Sequence, residues 1–360
     1  MILNKHFDWL LFFLAVVITI LGTVTILSVN QSVFVSQCIY FVLALIVFLI
    51  VSNLDIRIFE NFDRFFYLLT LVFLVIPFFF GVFSRGAARW IQIGPKTLQP
   101  SEFAKPLLTI FFAKFWSENK INLKTLLICL FLTFIPAYLI FRQPDLGSSL
   151  VVISIIFGII LASEITLKQL AIFLLVFLSV LPFSWFILKD YQKLRIEHFL
   201  NPTTDPLGAG YNVIQSVITV GSGSFLGKGL GRGTQSHLAF LPERHTDFIF
   251  ASFAEEFGFI GCLCLLVLYY FLLKRILYIA HNSKNRFGYY FCLGTFVYIF
   301  FQTVVNIGMN LGAIPITGIT LPLFSYGGSS LISTMICLGL VASQASASKS
   351  DEGLTIGIRN

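Results

Sequence analysis

Hydrophobic residues in this chain fall into long runs separated by short polar breaks, the rhythm of repeated membrane crossings. A membrane helix needs about 20 mostly apolar residues to cross about 30 Å of hydrocarbon. Ten runs approach or meet that length, at 9–29, 33–52, 65–83, 98–116, 123–141, 147–163, 168–188, 247–273, 288–310 and 322–344, the sixth being short. They predict an all-α, polytopic integral membrane protein whose single domain spans 1–360. One segment, about 189–246, breaks the rhythm by being long, polar and basic. Ordered loops of that length are uncommon and usually functional. Within it, Val213, Ile214, Val217 and Ile218 share one helical face, which predicts a short helix lying in the headgroup region. NPTTDP before it reads as a helix stop and turn.

Composition agrees: 57% of residues are hydrophobic, 11% are charged and 42 are phenylalanine, a balance no soluble surface could accommodate. With the first end inside, inner segments carry thirteen Lys and Arg and the short outer loops carry four, Arg85, Arg89, Lys96 and Arg142. This bias places both termini in the cytoplasm and the long loop outside. The first apolar run is as long as a membrane helix and is followed by no small-residue cleavage site, so it reads as a crossing and not as a cleaved signal. All six cysteines fall in predicted helices without metal-ligand spacing, and each reads as a buried hydrophobe. The net charge of +7 is spread over many loops, which argues against nucleic acid and suits anionic membrane lipid or a phosphate-bearing substrate.

Four strings carry candidate chemistry. In LPERHTDFIF, residues 241–250, Glu243, Arg244, His245, Thr246 and Asp247 stand where the polar loop re-enters apolar sequence. Ionisable groups at that depth are costly and default to a functional reading. Alone, Asp247 also reads as the first-turn acid of the eighth helix, with Thr246 as its N-cap. In LQPSEFAK, Glu102 and Lys105 lie at i and i+3 on one helical face inside an apolar run, either as an ion pair locking helices or as cavity residues. Arg85, Arg89 and Trp90 precede them, the tryptophan fitting an interfacial anchor or a substrate platform. In FRQPDLGSSL, Asp145 either caps the sixth helix or borders a cavity at the break. The glycine-rich GSGSFLGKGLGRGTQS carries Lys228 and Arg232; it could cradle phosphate through main-chain N–H groups, yet it matches no phosphate-binding pattern and follows no predicted strand, so by spacing alone it reads first as a turn-rich linker that lets the loop fold back onto the bundle.

RWIQIG, LQPSEFAK, QPDLGSSL, GAGYNVIQS, GTQSHLAFLPERHTDFIF and PLFSYGGSS, in that order, resemble the motifs of the shape, elongation, division and sporulation family of membrane proteins. The wording DPLGAGY and FLPERHTDFIF is closer to the elongation branch than to the division branch. The resemblance implies a ten-helix peptidoglycan glycosyltransferase that joins lipid II units into glycan strands on the outer face of the bacterial cytoplasmic membrane. It also implies an essential acid at Asp247, cavity residues at Glu102, Lys105 and Asp145, and a functional tryptophan at Trp90. The implied partner is a class B penicillin-binding protein, a transpeptidase.

The reaction sets its own demands. A sugar hydroxyl must lose a proton while a lipid pyrophosphate leaves the donor's anomeric carbon. An aspartate at the interface could act as general base, or hold a divalent cation such as Mg or Mn. Arg85, Arg89, Lys105, Lys228, Arg232 and Arg244 are the cations available to clamp pyrophosphate. An α-linked donor giving a β-linked product needs one inverting displacement and no covalent nucleophile. Two other functions use the same features: a lipid II flippase, and a scaffold that only recruits the transpeptidase.

Overall fold

The computed structural model describes residues 7–84, 87–94, 96–163, 190–201, 210–238 and 240–357. The apolar runs become helices: α1 (Trp9–Val29), α2 (Gln31–Ser52), the short α3 (Ile56–Asn61) and α4 (Asp63–Phe80). After β1 (Gly81–Ser84), β2 (Ala87–Ile93) and β3 (Lys96–Leu98) follow α5 (Pro100–Glu118), α6 (Leu123–Arg142) and α7 (Leu146–Ala162). The second half holds α8 (Asp190–Leu200), α9 (Tyr211–Ser222), α10 (Thr234–His237), α11 (Ile249–His281), α12 (Arg286–Asn310) and α13 (Gly328–Gly357). Among the described residues, seven helices are long and apolar enough to cross a membrane. The predicted span 168–188 lies outside the described residues.

Polar residues at the edges of the runs set the helix starts. Asp8 accepts from the Leu11 amide at 3.0 Å, Asn122 from Thr125 at 2.8 Å and Asn285 from Phe287 at 3.1 Å, each satisfying an amide that has no partner within its own helix. Lipid supplies little hydrophobic drive between helices, so close packing holds them. Gly294 of α12 shows this: a Cβ there would stand 2.7 Å from Thr109 Cγ2 of α5, so only glycine lets these two helices approach. α13 packs along α2, and α12 packs against α5, α7 and α11. Phe79, Phe80 and Phe131 stay exposed on the outside, where hydrocarbon would surround them.

Four details depart from the expectations. The RWIQIGPKTL stretch forms an antiparallel three-stranded meander, ordered β1-β2-β3, with Trp90 opposite Val82 and Ile91 opposite Leu98. The loop helix exists as α9, yet Val217 and Ile218 face outward while Ser216 and Thr219 are buried. The inward face is polar because it meets backbone acceptors, Ser216 Oγ donating to the Asn310 carbonyl at 2.8 Å. Cys264 is exposed on the outer face of α11, unlike the buried Cys129, Cys262, Cys292 and Cys337. Finally, α11 is cut after its first turns at Gly258, whose φ of 64° and ψ of −165° are not helical.

That cut is filled by the glycine-rich loop. The amides of Phe259 and Ile260 would ordinarily bond to the carbonyls of Glu255 and Glu256. Instead they donate to Ser224 and Phe225 at 3.0 and 3.2 Å, while Lys228 N and Gly229 N take the Glu255 and Glu256 carbonyls at 2.9 and 3.0 Å. Gly227, at φ 79°, makes this approach possible, since a Cβ there would collide with the Glu256 carbonyl.

Candidate functional site

A cavity of about 310 Å³ opens where β2, the start of α5, the segment before α11 and the start of α13 converge. Arg89, Trp90, Glu102 and Asp247 all line it, so two regions far apart in the sequence, 89–102 and 247, share one chamber. Asp247 is half-buried, and one carboxylate oxygen lies 3.6 Å from where a Cβ would stand on Gly318. Its backbone is fixed from below: the Asp247 carbonyl accepts from Asn306 Nδ2 and Asn310 Nδ2, both at 3.0 Å. From the side, Ser325 Oγ donates to the Thr246 carbonyl at 2.7 Å and the Tyr326 amide to the His245 carbonyl at 2.9 Å. The N-cap expectation for Thr246 is corrected here. Helix α11 starts at Ile249, and Thr246 Oγ1 instead donates to Glu243, at 3.0 Å to its carboxylate.

Behind the chamber, Lys105 Nζ sits 2.6 Å from Glu102 Oε1 and 5.4 Å from the Tyr298 ring centroid, with Lys105 fully buried. Breaking such a pair by removing one partner strands a charge in low dielectric. The other carboxylate oxygen, Glu102 Oε2, is buried and has no hydrogen-bond partner. Asp145 does cap α7, accepting from Ser148 N at 3.1 Å, and its second oxygen accepts from Gln99 Nε2 at 2.9 Å and Ser101 Oγ at 3.1 Å. It thereby ties α7 to the start of α5, with Arg89 at 4.0 Å on the chamber side. Arg89 Nε has no acceptor in the protein.

The other predicted cations lie elsewhere. Lys228 pairs with the buried Glu255 at 2.7 Å and Arg232 is exposed on the same loop; neither lines the chamber. Arg244 Nε donates to the Val29 carbonyl at 3.2 Å, which fastens the end of α1 to the segment carrying Asp247. Arg85 lies outside the described residues. Lys228 Nζ also donates to Thr234 Oγ1 at 3.0 Å, so its ammonium ties the loop to the buried carboxylate.

Several lining residues were not singled out from the sequence: Tyr40 and Gln302 lie outside the quoted strings, and Gln99, Tyr326, Ser329 and Ser330 lie within LQPSEFAK and PLFSYGGSS without a role assigned to them. Tyr40 and Tyr326 have ring centroids 6.2 Å apart, and His245 lies 5.4 Å from Tyr326, making one aromatic wall. Burial pushes the Tyr326 hydroxyl above its usual range and keeps it protonated. Among the described residues no group of three or more His, Cys, Asp or Glu is gathered to hold a metal ion. Mg²⁺ bound here would fit the common pattern of one protein carboxylate completed by water and substrate phosphates.

Helices that cross a membrane around a chamber lined by acids, a cation and aromatic rings define a multi-pass integral membrane protein with a polar chamber among its helices. The chain belongs to the FtsW/RodA/SpoVE family, described as cell cycle proteins, whose profile matches residues 3–350. It is 40% identical over 304 residues to the peptidoglycan glycosyltransferase MrdB of Escherichia coli K12, covering 84% of this chain and 82% of that one. It is 36% identical to MrdB of Helicobacter pylori over 344 residues, covering 93% and 89%. Among solved structures, a peptidoglycan synthase complex that coordinates polymerization and crosslinking contains a chain with TM-score 0.84 and 32% identity, over 96% of this chain and 99% of that one. The rod shape determining protein RodA of Thermus thermophilus superimposes with TM-score 0.72 at 30% identity, over 95% and 97%.

Proposed function

We propose that this protein is a peptidoglycan glycosyltransferase of the elongation branch that polymerises lipid II at the outer face of the cytoplasmic membrane. The observation that carries this is the gathering of Asp247, Arg89 and Glu102 around one chamber, with Trp90 at its side. Asp247 removes the proton from the acceptor hydroxyl. Arg89, whose Nε lacks a protein acceptor, binds the leaving pyrophosphate. Glu102, held by Lys105, faces the sugar. One inverting displacement at the anomeric carbon then completes the transfer, the bond to pyrophosphate breaking as the new glycosidic bond forms. A divalent cation, where used, would be held by Asp247 and would lower the pKa of the acceptor hydroxyl.

The charge bias supports this orientation, with both termini in the cytoplasm and the chamber open outward. A class B penicillin-binding protein is the fitting partner, since a similar chain sits in a complex that both polymerises and crosslinks. The test is reconstitution of purified protein with lipid II and that partner, followed by electrophoresis of the polymer. Asp247→Asn is expected to cut the initial rate at least about 10²-fold, the lower range for positioned proton transfer. Polymer at the wild-type rate from that variant would remove Asp247 from the mechanism.

A further inference from the structure

Helix α12 presents Tyr298, Gln302, Asn306 and Asn310 at successive four-residue steps, so they form a slowly winding ladder on one face, and all four are essentially fully buried. Three rungs have protein partners. Tyr298 meets Thr334 Oγ1 at 2.8 Å and Lys105, while Asn306 and Asn310 hold the Asp247 carbonyl. The fourth does not: Gln302 is 1% exposed, lines the chamber, and its Oε1 is buried with no hydrogen-bond partner. Position explains the contrast. Lys105 rests on Tyr298, and both Glu102 and Gln302 lie about one turn nearer the chamber on α5 and α12. Two unpartnered acceptors, Glu102 Oε2 and Gln302 Oε1, therefore border the same deep end.

Leaving a buried acceptor unmatched costs stability, and an apolar residue of similar shape would remove the cost. Retaining two at one wall calls for a ligand that brings donors. We infer that Gln302 is a substrate-binding residue that, with Glu102, accepts hydrogen bonds from hydroxyl or acetamido N–H groups of the lipid-linked amino sugar. This rests on the glycosyltransferase reading above and specifies its sugar subsite. The aromatic wall of Tyr40, Tyr326 and His245 matches the same ligand, because pyranose C–H groups pack on the electron-rich faces of aromatic rings. Arg89 Nε, a donor without an acceptor, suits the phosphate of that ligand.

The test compares Gln302→Met with Thr303→Val in full-length protein reconstituted with its transpeptidase and lipid II. Thr303 is the control because its Oγ1 is also buried and unpartnered on α12, yet it does not line the chamber. Loss of one substrate hydrogen bond is expected to raise the KM of Gln302→Met for lipid II about tenfold, with kcat within about threefold of wild type. Its thermal midpoint should equal or exceed that of wild type, and Thr303→Val should leave KM and kcat unchanged. An unchanged KM in Gln302→Met, or an equal rise in Thr303→Val, would overturn the subsite while leaving the enzyme reading intact. A Gln302→Met protein that fails to fold would overturn it as well, since the subsite requires that the fold not depend on this carboxamide. Wild-type protein that makes no polymer would overturn both readings together.

Discussion

Two buried glutamates, Glu255 and Glu102, stand in opposite conditions. Both oxygens of Glu255 are occupied: Lys228 Nζ at 2.7 Å and Gln235 N at 2.9 Å on one, Ser236 N at 3.0 Å and Ser236 Oγ at 2.7 Å on the other. Glu102 has one oxygen on Lys105 and the other on nothing. Burial alone does not separate them, as both are nearly inaccessible. What separates them is completeness. A carboxylate whose hydrogen bonds are filled by its own chain ties the segments around it together; Glu102, half-filled beside a cavity, keeps an acceptor that the sugar subsite proposed above would use.

The comparison can be broken most forcefully at Glu255. Replacing it by Ala orphans the buried Ser236 amide and the half-buried Gln235 amide and frees Lys228, and is expected to cost about 3–5 kcal/mol, seen as a lowered thermal midpoint in detergent and faster proteolysis between 223 and 238. Stability close to wild type would show that the network is not structural. Next in size is Gly258→Ala, which forces a side chain into φ 64°, ψ −165° and against the backbone of Gly227 and Leu226. The expected loss is about 1–3 kcal/mol from the backbone conformation alone, with the collision adding to it. The smallest effect on stability is expected from the double change Glu102→Leu with Lys105→Met. Swapping a whole buried ion pair for apolar groups of similar size is often neutral, so the unfolding free energy should stay within about 1 kcal/mol of wild type while polymer formation is lost. Retained polymerisation in that protein would erase the distinction between the two glutamates.

Much of the fold was legible because membrane crossings announce themselves by run length alone, and the described helices overlie nine of the ten predicted runs. The meander was missed although the alternation in IQI and the adjacent Gly-Pro pair at 94–95 of the sequence were available signals; a short strand beside long apolar runs is easily absorbed into a loop. Asp247 and Glu102 were visible as acids at or within apolar runs, and Arg89 and Trp90 as a cation beside an interfacial aromatic. Gln302 was not, since a single amide within FFQTVVN barely dents a hydrophobic run. The glycine-rich string did suggest a fold-back onto the bundle, but not that Lys228 would meet Glu255, since that pairing joins residues 27 apart in sequence.

The break in α11 bears on how the molecule assembles. The amides of Phe259 and Ile260 and the carbonyls of Glu255 and Glu256 find their partners in residues 224–229, which are synthesised before the helix they join. Inside a bilayer an unpaired peptide group is very expensive. The glycine-rich loop is therefore a splint made ahead of the fracture it mends, and α11 can be completed only once that loop has already been laid in place.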